Sequence, residues 1–212
     1  YNYYVSLLLS WSIKPIYIVL RYVLTEIEKK IWVNGREVSY DNLKIVFPTN
    51  IGVPYSSSIF WKSTEGFEPE NYKVLKEFFN KSDYFLDIGS NIGWYSVLAK
   101  KINPDIEVYA YEPILEIFNK NQHFHRANKI KNKLNNIAVS SINGEAEIIL
   151  PITSYVEEET TATLRNDSWQ ANALNKKYVV ETKTLDTILD EIKVRKNARI
   201  VIKIDVEDFE AD

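Results

Sequence analysis

A short segment with two glycines contains the residue types best suited to holding a ligand. It reads FLDIGSNIGWYS across residues 85–96, where a strand pattern gives way to a helical one. Gly89 and Gly93 let the backbone turn sharply, and they let a ligand approach where any side chain would collide. Because ligands in open α/β sheets bind at the carboxyl ends of strands, the segment predicts a binding loop at the first such end.

A second acidic residue, Glu112, follows the next predicted strand, Glu107–Tyr111. This is about the spacing at which a carboxylate accepts hydrogen bonds from both ribose hydroxyls of an adenosine-containing cofactor. Glu112 therefore predicts a cofactor that contains a ribose.

The loop composition favours one class of such cofactors. A dinucleotide fingerprint has three glycines around a pyrophosphate, whereas here Asn91 holds the middle glycine position and Asp87 precedes the turn. A carboxylate at that place repels a pyrophosphate, but it suits S-adenosylmethionine, which has a cationic amino-acid tail and no phosphate. The alternative is that Asp87 merely caps the loop and that both glycines are turn residues.

The last predicted strand holds the candidate catalytic residues. Lys203, Asp205 and Glu207 alternate along it and are expected on one side of the sheet. Asp205 or Glu207 is predicted to orient or deprotonate an acceptor hydroxyl. A structural ion pair centred on Lys203 is the alternative. Two acids on one strand are too few to define a metal site, so no metal is expected.

Other residues that could do chemistry are better explained by packing. His123 and His125 are two residues apart and fall on different faces of a helix, which predicts surface or packing roles. The rings of Trp94 and Tyr95 could face a sulfonium, although core packing is favoured for them.

The elements that position these residues alternate between strand and helix. Helices are predicted over residues 94–102, over residues 114–124, and over residues 185–192 with Thr184 as N-cap. This order predicts a mostly parallel sheet with right-handed crossovers. The predicted strands are Tyr84–Ile88, Glu107–Tyr111, Leu134–Val139, Ala146–Ile152, Tyr178–Thr182 and Arg199–Val206, the last of a kind buried on both faces.

Residues 1–63 are predicted to form an N-terminal extension, and residues 64–212 the main domain. The extension combines a small β lead-in, with a hairpin signal at Asn34-Gly35, and an apolar stretch over residues 3–24. Pro15 and two basic residues interrupt that stretch, so a packed helix is favoured over membrane contact. A helix follows the lead-in, with Tyr72 and Phe78 on its apolar face.

Composition narrows the class of partner. A net charge of −3 argues against nucleic acid and fits a small-molecule or glycan substrate. Cysteine is absent, which excludes disulfides and thiolate chemistry. A cytoplasmic location is expected, with membrane association through residues 3–24 as the alternative. The chain begins on Tyr1 and closes directly after a strand, so we expect it to be part of a longer protein.

Four ordered motifs resemble the signatures of the FkbM-like methyltransferases. They are DIGSNIGWYS at residues 87–96, YEP at 111–113, NIAVS at 136–140 and IKIDVE at 202–207. The resemblance implies a Rossmann-like class I methyltransferase sheet whose last strands are missing here. It also implies S-adenosylmethionine as donor and O-methylation of a sugar, polyketide or related natural product. One position departs from the pattern, because Asp208 stands where the family commonly has glycine.

The resemblance also implies which residues of this chain bind each part of the donor. The methionine part is assigned to the loop, the ribose to Glu112 in the motif ending on Pro113, and the adenine to the segment containing Asn136 and Ala138. The loop residues are Asp87, Gly89, Ser90, Asn91, Gly93, Tyr95 and Ser96. Two rival hypotheses are an NAD-dependent oxidoreductase and a non-catalytic binding domain of the same fold.

Overall fold

A computed structural model of the protein describes residues 35–49, 55–151 and 175–206. Glu207, Asp208 and the apolar stretch over residues 3–24 lie outside the described residues. The chain splits into two compact units, with the division between Glu77 and Phe78. The domain boundary expected between residues 63 and 64 stays a prediction.

The described part of the first unit opens on a β-hairpin. Strands β1 (Arg36–Tyr40) and β2 (Leu43–Phe47) pair antiparallel. The turn between them is Asp41-Asn42, with φ of 46° and 65°, since Asp and Asn tolerate the left-handed region that such two-residue turns need. Asn34 lies outside the described residues, so the hairpin turn expected at Asn34-Gly35 stays a prediction; Gly35 directly precedes β1.

Two helices follow the hairpin. They are α1 (Ser56–Lys62), which runs into a 3-10 turn at Ser63–Glu65, and α2 (Pro69–Lys81). On α2 Tyr72 is buried as predicted, whereas Phe78 is 52% exposed, contrary to its predicted place on the apolar face.

The second unit is a mixed α/β structure around a parallel sheet, as predicted. Its first elements are β3 (Tyr84–Ile88), α3 (Trp94–Ile102), β4 (Glu107–Tyr111), α4 (Leu115–Ala127), β5 (Lys133–Asn135) and, later in the chain, β9 (Ile200–Ile204). These four strands lie in the order β5-β4-β3-β9, and every pairing is parallel. All five residues of β3, including Asp87, are buried, which fits a mainly apolar strand between two neighbours.

A second, smaller sheet and a helix complete the described part of this unit. Strands β6 (Ala138–Val139), β7 (Gly144–Pro151) and β8 (Asn175–Lys183) lie in the order β6-β8-β7. Helix α5 (Leu185–Ile192) starts at the predicted cap, where the Thr187 amide donates to Thr184 Oγ1 at 3.2 Å.

The single strand expected over Leu134–Val139 is two short strands in different sheets. The interruption falls at Asn136, whose side-chain amide donates to the main-chain oxygens of Glu112 and Pro113, each at 2.8 Å. Asn136 therefore hydrogen-bonds to the residues that follow β4 instead of continuing the pairing of β5 with β4.

Strand β9 is less buried than its apolar sequence predicts. Ile202 and Ile204 are 38% and 45% exposed, so the expectation of burial on both faces is wrong. Among the described residues β9 pairs only with β3.

The strand order reverses direction at β3, because the chain adds β4 and β5 on one side and β9 on the other. The carboxyl ends of all four parallel strands therefore meet at one edge of the sheet. Gly89, Glu112, Asn136 and Asp205 each follow one of these ends. No helix within the described ranges has the length and apolar character needed to cross a membrane.

Candidate functional site

The loop after β3 is a tight turn anchored to the neighbouring strand. The Ser90 amide donates to the Tyr111 carbonyl at 2.9 Å, and the Gly93 amide donates to the Ser90 carbonyl at 2.8 Å. Gly89 and Gly93 have φ of 69° and 84°, in the region that only glycine adopts without strain. Both glycines are thus required by the backbone itself.

Gly89 has a second reason to be glycine. A Cβ placed there would lie well inside van der Waals contact of the Asp205 carbonyl oxygen. The sequence attributed the missing side chain to ligand approach, whereas the close neighbour is the chain leaving β9. Gly89 therefore lets two strand ends converge.

Asp87 is a buried carboxylate, with 1% of its surface exposed. Its Oδ2 accepts a hydrogen bond from Ser96 Oγ at 2.7 Å, and its Oδ1 lies 3.8 Å from Lys203 Nζ without any hydrogen-bond partner. Burial raises the pKa of Asp87, and Lys203 and Ser96 oppose that rise. These partners lie on α3 and β9, so the idea that Asp87 caps residues 89–93 receives no support.

Glu112 is a second buried carboxylate, 6% exposed, and it ties the loop to the start of α4. Its Oε2 accepts from the Asn91 amide at 3.0 Å, and its Oε1 accepts from the Ile114 amide at 2.9 Å. Burial raises the pKa of Glu112 to about 7 despite these two hydrogen bonds. Each oxygen keeps a further lone pair with which to accept a hydroxyl.

The Lys203 ammonium connects the acidic residues at this edge. It lies 2.9 Å from Asp205 Oδ2 and 5.6 Å from the centre of the Tyr95 ring. The ion pair suggested as an alternative is therefore present, and the cation facing Tyr95 is the protein's own lysine. The Asp205 side chain is 57% exposed and open to solvent, while Glu207 lies outside the described residues.

The residues assigned to the adenine divide into two kinds. Asn136 lies at the carboxyl edge with its amide fixed on the main chain of Glu112 and Pro113. Ala138 is 4% exposed, and its methyl group packs with Ile114 and other apolar side chains, which leaves only its backbone for a ligand.

Asn121, which the sequence analysis did not single out, belongs to this site. It is 1% exposed on α4, and its Nδ2 donates to Ser90 Oγ at 3.0 Å and to the Asn91 carbonyl at 2.8 Å. The sequence contains a signal for its burial, because Asn121 is four residues after Ile117 and three before Phe124, and both of these apolar residues are buried on the same helix face. Trp94 stacks on Phe124, so packing is confirmed for that ring.

The charges at this edge do not balance. Among the described residues, the carboxyl groups of Asp87, Glu112 and Asp205 lie at this edge with one ammonium, that of Lys203, which pairs with Asp87 and Asp205. Such an edge attracts a cation and repels a phosphate. Across the same described ranges no group of three or more acidic or histidine side chains could hold a metal ion, and the expectation of a metal-free site stays a prediction.

Comparison with known proteins identifies the family of this chain. No curated protein sequence matches the chain significantly. The family model described as "Methyltransferase FkbM domain" matches residues 87–212, which is more than half of the chain and includes the loop, Glu112 and β9. The resemblance seen in the four motifs is thereby confirmed, and the chain belongs to the family of FkbM methyltransferase domains.

Proposed function

We propose that this methyltransferase uses S-adenosylmethionine and transfers the methyl group to a hydroxyl oxygen of a sugar, glycan or related natural product. We also propose that its sheet is of the Rossmann-like class I type. The reversal of strand order at β3 supports this, because doubly wound sheets bind their ligands at such a reversal.

The observation that carries the proposal is the surplus of buried negative charge at the reversal. Asp87 and Glu112 are both almost fully buried, and Oδ1 of Asp87 has no hydrogen-bond partner. Burying carboxylates costs free energy unless a partner of opposite charge or several donors compensate. A donor with a sulfonium, an ammonium and two ribose hydroxyls supplies such partners, whereas the pyrophosphate of NAD would add negative charge.

Each part of the edge then has a role. The turn at residues 89–93 and Asp87 would bind the amino-acid part of the donor, and Glu112 would accept hydrogen bonds from its ribose. Asn136 would bound the adenine. These assignments follow the family pattern. They are supported by the fact that the turn, Glu112 and Asn136 follow the carboxyl ends of three neighbouring strands.

When bound, S-adenosylmethionine supplies a methyl group already activated by the positive charge on sulfur. The protein then has mainly to align the acceptor hydroxyl with that methyl group. Asp205, or Glu207 two residues further on, accepts the hydroxyl proton as the new carbon–oxygen bond forms and the carbon–sulfur bond breaks, with its electron pair left on sulfur. Lys203, at 2.9 Å, orients the Asp205 carboxylate.

Isothermal titration with S-adenosylmethionine, S-adenosylhomocysteine, NAD⁺ and NADH tests the cofactor. We expect the two adenosyl amino acids to bind and both dinucleotides to fail. Binding of NAD⁺ in preference to S-adenosylmethionine would overturn the proposal in favour of an oxidoreductase.

Transfer of a labelled methyl group to a panel of sugars, glycans and lipid-linked sugars tests the reaction. Base-stable label on a hydroxyl oxygen of an acceptor is the expected result. Donor binding without transfer to any acceptor in a cell extract would instead favour a non-catalytic binding domain.

A further inference from the structure

Asn121 holds the proposed donor-binding loop from helix α4. Its single Nδ2 group donates to two loop acceptors, Ser90 Oγ at 3.0 Å and the Asn91 carbonyl at 2.8 Å. The Asn91 amide in turn donates to Glu112 at 3.0 Å. Side chains from outside the loop therefore hold both backbone polar groups of Asn91.

The backbone of Asn91 is held in the left-handed region, with φ of 49°, which asparagine tolerates as a single residue. The two hydrogen bonds to its backbone fix that conformation and the direction in which the loop amides point.

His125 and Asn132 are hydrogen-bonded to each other, and they link Asn121 to Ser96. Asn132 Nδ2 donates to the Ser96 carbonyl at 3.0 Å, so this atom is the amide nitrogen, and it also lies 3.0 Å from His125 Nε2. Nε2 is therefore the acceptor, and Nδ1 carries the ring proton and donates to the Asn121 carbonyl at 2.9 Å. The ring is 2% exposed, and its neutral form satisfies both contacts.

The same two side chains contact the end of the loop. A Cβ at Gly93 would lie 2.5 Å from Asn121 Oδ1 and 2.6 Å from His125 Cε1. The Gly93 Cα therefore already lies against α4, and the loop has no room to shift toward the helix.

We propose that Asn121 and His125 are positioning residues, which set the conformation of residues 89–96 so that the loop is formed before the donor arrives. This inference rests on the proposed function, since it takes the loop to be the donor site. Holding a site in its bound conformation lowers the entropy lost on binding, so the positioning residues raise donor affinity without touching the donor.

The test compares two changes of the same chemistry on one helix. Asn121→Asp keeps the shape of the side chain but places an acceptor oxygen against the Asn91 carbonyl. The matched control is Gln122→Glu, because the side chain of Gln122 accepts a hydrogen bond at 3.1 Å from Arg126, an exposed residue of the same helix. Affinity for S-adenosylhomocysteine and hydrogen exchange of the loop amides are measured in both variants and in the wild type.

We expect Asn121→Asp to bind S-adenosylhomocysteine at least tenfold more weakly and to exchange the amides of residues 89–96 at least tenfold faster. Exchange in α5 should not change, which separates positioning from a general loss of stability. Gln122→Glu should match the wild type in both measurements. A folded Asn121→Asp protein with wild-type affinity and wild-type loop exchange overturns the inference.

If Asn121→Asp does not fold, Asn132→Asp takes its place under the same criteria, because it removes the donor to Ser96 and His125. Hydrogen exchange needs no ligand, so failure of the proposed cofactor is distinguishable. A wild type that binds no adenosyl amino acid rejects the proposed function, while faster loop exchange in the variant still supports the positioning role.

Discussion

Replacing Asp87 by asparagine should weaken donor binding without weakening the fold. The substitution keeps the shape of the side chain and removes the buried negative charge. Its Oδ1 can still accept from Ser96 Oγ, and its Nδ2 would replace a carboxylate oxygen that has no hydrogen-bond partner now. Lys203 keeps its 2.9 Å ion pair with Asp205.

The magnitudes follow from the surroundings. Neutralising Asp87 removes the cost of burying its charge, and Lys203 retains Asp205 as its partner, so we expect the free energy of unfolding at pH 8 to change by less than about 1 kcal/mol or to rise. A hydrogen bond to a charged group contributes about 1.5–3 kcal/mol, which corresponds to roughly 10- to 150-fold weaker binding of S-adenosylmethionine.

Isothermal titration and chemical unfolding on the same preparations measure the two effects. Asp190→Asn is the matched control, because Asp190 is exposed on α5 and should leave both quantities unchanged. If Asp87→Asn binds S-adenosylmethionine within twofold of the wild type, Asp87 has no part in donor binding. If the variant instead loses more than about 3 kcal/mol of stability, the ion pair with Lys203 is primarily structural.

Three further predictions concern protons and backbone. Glu112 has its pKa raised to about 7 in the free protein, and hydroxyl donors favour its ionised form. Affinity for S-adenosylhomocysteine should therefore increase from pH 6 to pH 8, and binding should release a proton from Glu112. Calorimetry in buffers of different ionisation enthalpy measures that proton release. The Glu112→Gln variant should lose most of the pH dependence. Burial lowers the pKa of His125 from 6.5 to about 4, so the unfolded chain binds the proton more readily. The contribution of neutral His125 to the free energy of unfolding is therefore complete above pH 6.5. It is lost as the pH falls toward 4, by about 3 kcal/mol. The free energy of unfolding of a His125→Asn variant should depend less on pH over that window. Gly89→Ala should lower the midpoint of thermal unfolding far more than Gly144→Ala, because both have positive φ but only Gly89 faces the Asp205 carbonyl; equal effects would mean that backbone strain alone matters.

The parallel sheet and the loop were predictable because their signals are local in sequence. The run Tyr84–Ile88 is apolar except for Asp87, and the glycines after it require positive φ, so strand, turn and helix follow from adjacent residues. The cap at Thr184 is equally local, since a hydroxyl and an amide three residues apart suffice. Motif spacing then placed Glu112 at the same edge of the sheet.

Features that depend on contacts between distant segments were not predictable in this way. Asn136 interrupts a strand because it bonds to the end of β4, which no local pattern reveals. The hairpin turn at Asp41-Asn42 was not predicted, because many polar dipeptides suit a turn and pairing along β1 and β2 decides which one is used. Likewise Gly93 is opposed by Asn121 and His125 from another helix, so its contacts appear only in the fold.

The two buried carboxylates make a functional explanation of this edge stronger than a structural one. Raising the pKa of Glu112 from 4.5 to about 7 corresponds to about 3 kcal/mol of unfavourable ionisation, and the fold could satisfy the amides of Asn91 and Ile114 with a neutral acceptor instead. Asp87 has one oxygen without a hydrogen-bond donor, which is also unfavourable in a stable core. Charges that reduce the stability of the free protein persist where a ligand compensates them. The compensating ligand must be cationic and must offer hydroxyl donors, which is why binding and stability should respond in opposite directions when Asp87 is neutralised.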